Sequence, residues 1–179
     1  MWVRGLTLSS FRNFKYLQTA LASGVNIIHG DNAQGKTNFL EALFYCATGR
    51  SSRAANEREL ISFGCETAYL RAEMEREGSS RTIDVGIRND GARTYKSLAV
   101  DRVPIRRTVD LYGLLLVVMF SPEDLRLVKA GPAERRAFMD MEICQLSPVY
   151  CHDLKQYHHA LKQRNALLKE LQKGEGSPL

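Results

Sequence analysis

Apolar and polar positions trade places along this chain in three distinct rhythms. Between residues 68 and 100 the period is two. Ala68, Leu70, Ala72 and Met74 alternate with Tyr69, Arg71, Glu73 and Glu75, and Ile83, Val85 and Ile87 alternate again. Gly78-Ser79 and Asn89-Asp90-Gly91 punctuate these runs, and Tyr95 to Val100 supplies a third. The pattern predicts an antiparallel meander with one wet face. Residues 1–29 also read as strands, with Leu6 and Leu8 between polar neighbours and Val25-Asn26-Ile27-Ile28-His29 as a short buried strand. Leu114 to Phe120 shows no alternation, which predicts a strand covered on both faces.

The helical rhythm appears after Gly35. Phe39, Leu40, Leu43, Phe44 and Ala47 share one face of a helix over 36–48, and Gly49 ends it. Residues 50–64 are polar and read as a loop with a short helix. Ser121-Pro122-Glu123-Asp124 is a helix start, with a serine cap, a proline in the first turn and acids behind it. Gly131-Pro132 opens a second helix to about Leu146, and Ser147-Pro148 opens a third. In the third, Tyr150, Leu154, Tyr157, Leu161, Arg164, Leu168 and Leu171 are spaced four and three alternately, a heptad seam. Two readings stand for that seam. The helix packs on its own domain, or it is the first leg of an antiparallel coiled-coil arm. The organisation expected is a lobe over 1–146 containing the sheet at 68–100, an arm helix over 147–173, and a flexible tail over 174–179.

Composition narrows this picture slightly. The chain has 179 residues, 44% hydrophobic and 25% charged, enough for a sizeable core and unlike a disordered chain. Its longest apolar run is the seven residues 114–120, against the roughly 20 of a membrane-spanning helix. The first residues lack the apolar core of an export signal. The four cysteines, Cys46, Cys65, Cys144 and Cys151, form no C-x-x-C pair and read as reduced thiols in a cytoplasmic protein. The net charge of +5 fits a polyanionic partner without demanding one. Segment 76–107 holds eight basic residues, Arg76, Arg81, Arg88, Arg93, Lys96, Arg102, Arg106 and Arg107, against four acids. It reads equally as a nucleic-acid face or as a solvated sheet face.

Gly30-Asp31-Asn32-Ala33-Gln34-Gly35-Lys36-Thr37 carries the chemistry. It fits G-x-x-x-x-G-K-[ST], the P-loop. Glycines let the backbone curl so that successive N–H groups face phosphate oxygens. The helix that follows adds its unpaired N–H groups and positive end. Lys36 reaches the β- and γ-phosphates of ATP, and the Thr37 hydroxyl is placed for Mg²⁺. A strand at 25–29 before the loop and a helix after it complete the expected context. A hydrolytic site needs a further acid at the end of an apolar strand. The run 114–120 ends in Ser121-Pro122 instead, and Glu123 and Asp124 read better as first-turn helix acids than as catalytic carboxylates. His152, His158 and His159 near Cys151 show no metal-ligand spacing. His29 reads as structural, and Arg135-Arg136 as a solvated helix face. Three function classes remain: an ATP-gated component of a larger machine, a self-sufficient P-loop NTPase or kinase, and a docking module with a vestigial loop.

Several segments resemble one family. Phe11-Arg12-Asn13-Phe14, the P-loop running on through Asn38-Phe39-Leu40-Glu41-Ala42, Phe120-Ser121-Pro122-Glu123-Asp124-Leu125, Arg135-Arg136-Ala137-Phe138-Met139-Asp140 and Leu161 to Leu168 are similar, in that order, to the RecF branch of the SMC/Rad50-like ABC ATPases. The resemblance implies an α/β P-loop NTPase, an ABC/SMC-like lobe I with a β-meander and an arm helix. It implies a bacterial DNA replication and repair protein of the DNA-damage and SOS response. Such a protein binds ATP with Mg²⁺ and binds DNA. It dimerises around two nucleotides and works with RecO and RecR, with no membrane involved. Arg12 lies near the nucleotide in this superfamily. Phe14 stands where the family usually has Tyr, and no Gln occurs at 121–123 to meet Mg²⁺. The family's signature motif, Walker B acids and switch histidine follow the arm, so the chain matches an N-terminal portion. The resemblance implies weak DNA-dependent ATPase activity for the full-length protein and negligible turnover for this chain alone.

Overall fold

The computed structural model describes residues 1–121 and 131–172. The helix start expected at 122–124, with Glu123 and Asp124, and the tail expected at 174–179 lie outside them. The chain divides into two compact units, Met1–Asp124 and Leu125–Leu179.

The first unit is built on a six-stranded antiparallel sheet of β1 (Trp2–Phe11), β2 (Phe14–Ala20), β3 (Thr67–Arg76), β4 (Ser79–Asn89), β5 (Thr94–Val100) and β6 (Val103–Ile105). Their order across the sheet is β2-β1-β3-β4-β5-β6. The period-two pattern sets the register, because a one-residue slip would turn every apolar side chain outward. Leu8 pairs with Leu70, Leu70 with Val85, and Val85 with Leu98, so one row of the inner face is apolar across four strands. The meander expected at 68–100 is therefore present. Strand β6 was not legible. It follows a turn at Asp101-Arg102 in which both residues have positive φ, 51° and 66°, without a glycine to mark it.

Helix α1 (Lys36–Thr48) lies on that inner face. Phe39, Ala42, Cys46 and Ala47 join Leu6, Leu70, Ala72, Ile83 and Val85 in one buried cluster. The helix is more deeply covered than its expected stripe. Tyr45 and Glu41 are fully buried, while Leu40 is 45% exposed. Burial pushes the Cys46 thiol up to about 12. Gly49 ends α1 in the left-handed region at φ 64°, with its N–H donating to the Tyr45 carbonyl at 2.7 Å. The short helix expected within 50–64 is a 3₁₀ turn at Glu57–Leu60.

Two expected strands are absent. Val25–His29 forms no strand, and Val25 and Ile27 are 90% and 83% exposed. Leu114–Phe120 starts on the core, with Leu115 buried, then leaves it with Val118 and Phe120 both 80% exposed. A strand needs a neighbouring strand for its N–H and C=O groups, and neither stretch belongs to the described six-stranded sheet. The expectation of two buried strands is thus overturned: Leu115 is buried and Leu114 and Val117 pack partly on the core, while Val25, Ile27, Val118 and Phe120 are exposed.

The second unit contains α2 (Pro132–Leu146) and α3 (Pro148–Gln172). Tyr150 Oη donates to Asp140 Oδ1 at 2.6 Å, joining the start of α3 to α2. No side chain of α3 is buried, and Tyr157, Leu168 and Leu171 are 60%, 42% and 43% exposed. Along the seam Tyr150, Leu154 and Leu161 are half-buried, and Tyr157, Arg164, Leu168 and Leu171 are exposed. No described helix is long and apolar enough to cross a membrane.

The exposed pair Val118 and Phe120 predicts binding of an apolar fluorescent dye to the folded chain. Replacing both by serine should lower the dye signal while leaving the thermal midpoint unchanged, because neither side chain packs in the core.

Candidate phosphate-binding loop

The segment Gly30–Thr37 connects the exposed stretch at 25–29 to α1, and it is held to the core by that helix and by the Asn13 Nδ2 hydrogen bond to the Gln34 carbonyl. Its curl uses three residues with positive φ: Gly30 at 146°, Ala33 at 67° and Gly35 at 99°. Gly35 caps α1 without any side-chain hydrogen bond, and no acid occupies the first turn. The first N–H groups of α1 are therefore not neutralised by the protein's own carboxylates, the electrostatic setting an anion prefers. Lys36 folds back over the loop. Its Nζ donates to the Gly30 and Asp31 carbonyls, both at 2.7 Å. Thr37 is exposed on the first turn, with its hydroxyl open to solvent. Asp31, Asn32, Ala33 and Gln34 are exposed and Gly35 is buried. All eight expected residues thus sit in one bend, although the strand expected before it is missing.

A group that sequence reading did not single out supports the bend from behind. Glu41, one turn beyond Thr37, is completely buried. Arg12 grips its carboxylate twice, through Nε at 3.0 Å and a terminal nitrogen at 2.7 Å. Ser51 Oγ donates at 2.5 Å, and Arg53 stands 3.6 Å away. Burial pushes the Glu41 carboxyl up. The hydrogen bonds from Arg12 and Ser51, with the charges of Arg12 and Arg53, outweigh burial and hold it below its ordinary value of 4.5. Arg12 also donates to the Glu59 carbonyl at 3.0 Å. The one sequence signal for this group was a carboxylate inside the apolar run Phe39 to Phe44. Such a charge is buried only with a partner.

A cavity of about 990 Å³ lies between the β1–β2 turn, segment 56–66 and the turn after β4, and no residue of Gly30–Thr37 lines it. Arg12, Asn13 and Asn38 line its inner side, and the fully exposed Phe63 stands at its rim.

The other candidates separate. Lys96 turns inward, away from the expected basic face. Its ammonium pairs with Glu57, donates to the Gly49 carbonyl at 2.9 Å, and lies 5.7 Å from the Tyr45 ring centre. Arg76, Arg81 and Arg107 pair with Glu77, Asp101 and Asp110. Arg88, Arg93, Arg102 and Arg106 make no close ion pair among the described residues. Arg88 and Arg93 lie at the start of β5, Arg102 lies in the turn at its other end, and Arg106, one residue past the Leu98–Ile105 pair, lies beside its middle. His29, His152, His158 and His159 are exposed, and Arg135 and Arg136 lie on an exposed part of α2. Among the described residues no cluster of His, Cys, Asp and Glu could hold a metal.

Comparison with known proteins places this geometry. A family model described as an AAA domain matches residues 5–174. The DNA replication and repair protein RecF of Lachnoclostridium phytofermentans is 45% identical over 171 residues, covering 96% of this chain and 47% of that protein. RecF of Agathobacter rectalis is 43% identical, covering 96% and 46%. The chain therefore spans slightly under half the length of these relatives. A solved structure of the recombination mediator protein RecF with ATP, in the RecFOR pathway, superposes with a TM-score of 0.90 at 35% identity, covering 99% of this chain and 47% of that one. An SMC head domain from Thermotoga maritima shares the fold, with a TM-score of 0.51 at 20% identity over 62% of this chain and 41% of that one. The α/β P-loop NTPase fold, of SMC-head type with an antiparallel sheet and C-terminal helices, follows from these likenesses.

The buried ion pair predicts two stability effects. Arg12→Ala strands a buried carboxylate and should cost about 3 kcal/mol in denaturant unfolding at pH 7. Because folding lowers the Glu41 pKa, its contribution is complete above about pH 4.5 and is lost as pH falls through the lowered value. Glu41→Gln should flatten that acid limb in a pH series of unfolding midpoints.

Proposed function

The chain belongs to the AAA-domain family, and from that premise we propose that it is the nucleotide-holding N-terminal portion of a RecF-type DNA replication, repair and recombination protein. The observation that carries this reading is the posture of Lys36. Its ammonium spans two carbonyls of the loop at 2.7 Å, directly in front of a helix start that has no acid of its own. In this reading the backbone of Gly30, Asp31, Asn32, Ala33, Gln34 and Gly35 wraps the triphosphate of ATP. Lys36 exchanges the Gly30 and Asp31 carbonyls for β- and γ-phosphate oxygens, which bind an ammonium more strongly because they are charged. The Thr37 hydroxyl joins the shell of the Mg²⁺ that accompanies the nucleotide.

The likeness to RecF with ATP supports the nucleotide. The likeness to DNA replication and repair proteins supports a role on DNA in the cytoplasm, within the DNA-damage and SOS response and together with RecO and RecR. The lobe over 1–146 carries the ATP site, and the helix over 147–173 is the first leg of a coiled-coil arm, which the exposed seam residues Tyr157, Leu168 and Leu171 support. In the full-length protein two copies enclose two ATP molecules. Nucleotide then gates DNA engagement, and slow hydrolysis releases it. The four arginines without close ion pairs, Arg88, Arg93, Arg102 and Arg106, spread along β5, are the candidate backbone contacts.

A fluorescent ATP analogue with Mg²⁺ should bind this chain, and Lys36→Ala should weaken binding by at least about tenfold. Turnover by the chain alone should be negligible. Mg²⁺-independent binding, or binding indifferent to Lys36→Ala, would leave the loop vestigial, and multiple turnovers would identify a self-sufficient enzyme. DNA affinity of the full-length protein should fall steeply with salt and depend little on sequence. Replacing Arg88 and Arg93 together by alanine should lessen that salt dependence.

A further inference from the structure

A phosphate-binding loop works only if its amide hydrogens face inward, and glycine by itself leaves both orientations open. In this chain a side chain outside the loop makes the choice. Asn13, in the turn between β1 and β2, donates from Nδ2 to the Gln34 carbonyl at 3.1 Å. The peptide between Gln34 and Gly35 is planar and trans, so its C=O and N–H point to opposite sides. With the carbonyl tied to Asn13, the Gly35 N–H points away from Asn13. A Cβ at Gly35 would lie 2.6 Å from the Asn13 amide, so the contact also leaves no room for a side chain there.

Asn13 is itself held from two directions. Its Oδ1 accepts from Asn38 Nδ2 at 2.8 Å, and Asn38 Oδ1 accepts from Arg53 at 3.1 Å. Arg53 leads to Glu41 at 3.6 Å. On the other side the preceding residue, Arg12, sits at φ 53°, a conformation that costs a non-glycine residue energy and persists only when over-determined. Its guanidinium on Glu41 and its N–H on the Leu60 carbonyl at 2.8 Å supply that restraint. Both routes end on the same buried carboxylate.

We propose that Asn13 and Glu41 are positioning residues for the phosphate-binding loop, with Glu41 acting through Arg12 and Arg53 to hold Asn13, and Asn13 turning the Gly35 N–H toward the phosphates. This rests on the nucleotide reading above. Neither side chain touches the phosphates in this scheme, so their effect on affinity passes entirely through one peptide plane.

The test separates this scheme from the nucleotide reading. In ¹H–¹⁵N spectra of the full chain without nucleotide, Asn13→Ala should move the Gly35 amide resonance, and Glu41→Gln should move the same resonance. Asn13 is exposed, so Asn13→Ala should fold with an unchanged thermal midpoint, whereas Glu41→Gln also loses stability. With Mg²⁺ and the ATP analogue, Asn13→Ala should weaken binding about tenfold. The double variant should bind no more weakly than the weaker single variant. An unmoved Gly35 amide in folded Asn13→Ala overturns the proposal, whether or not the parent chain binds ATP. So does unchanged affinity in Asn13→Ala when the parent binds. Failure of the parent to bind ATP, with the Gly35 amide still responding to Asn13, overturns the nucleotide reading and leaves the positioning of the peptide supported.

Discussion

One buried carboxylate ties the working parts of the first unit together. Glu41 lies inside an otherwise apolar stretch of α1, and two arginines and a serine converge on it from different segments. Arg12 comes from the turn between β1 and β2, and Ser51 and Arg53 come from the loop after α1. A charge without water must be met from all sides, so these segments are obliged to meet at one point. The phosphate-binding bend starts one turn away along the same helix. Its shape is therefore set by a contact that carries no nucleotide chemistry of its own.

The platform beneath is an ordinary antiparallel core, and its rigidity serves the bend. The buried face of six strands holds α1, and α1 presents its N-terminal turn, Lys36 and Thr37, at the edge of that core. The other end of α1 is secured separately. Lys96 reaches from β5 to the Gly49 carbonyl and Glu57, placing a cation at the helix's negative end. Burial and the neighbouring Glu57 push the Tyr45 hydroxyl up, so it stays protonated and donates to that carboxylate at 2.9 Å. Helix α1 is thus fastened at its middle and C-terminal end, leaving its N-terminal end for a ligand.

Against this well-covered core stand the exposed apolar side chains of Val25, Ile27, Val118 and Phe120, and those of Tyr157, Leu168 and Leu171 on α3. The chain spans slightly under half the length of its relatives. The positive charge is dispersed likewise. Half of the basic residues between 76 and 107 are neutralised locally, and the remaining four arginines are spread along β5. A long polyanion can bridge such points, whereas a small anion cannot.

The sequence by itself determined what depends on neighbours in the chain. The glycine spacing of the bend, the alternation of β3 to β5, the stop at Gly49 and the proline starts of α2 and α3 are local properties, and each was legible. Tertiary structure alone decided what depends on distant partners. Arg12 and Glu41 stand 29 positions apart, and no local rule joins them. Lys96 counted as a surface cation until β5 turned it toward α1. Val25–His29 has the composition of a strand, yet composition cannot supply the hydrogen-bonding neighbour a strand requires. The Asp101-Arg102 turn adopts positive φ at two residues that seldom take it, because pairing on both sides compensates the local cost.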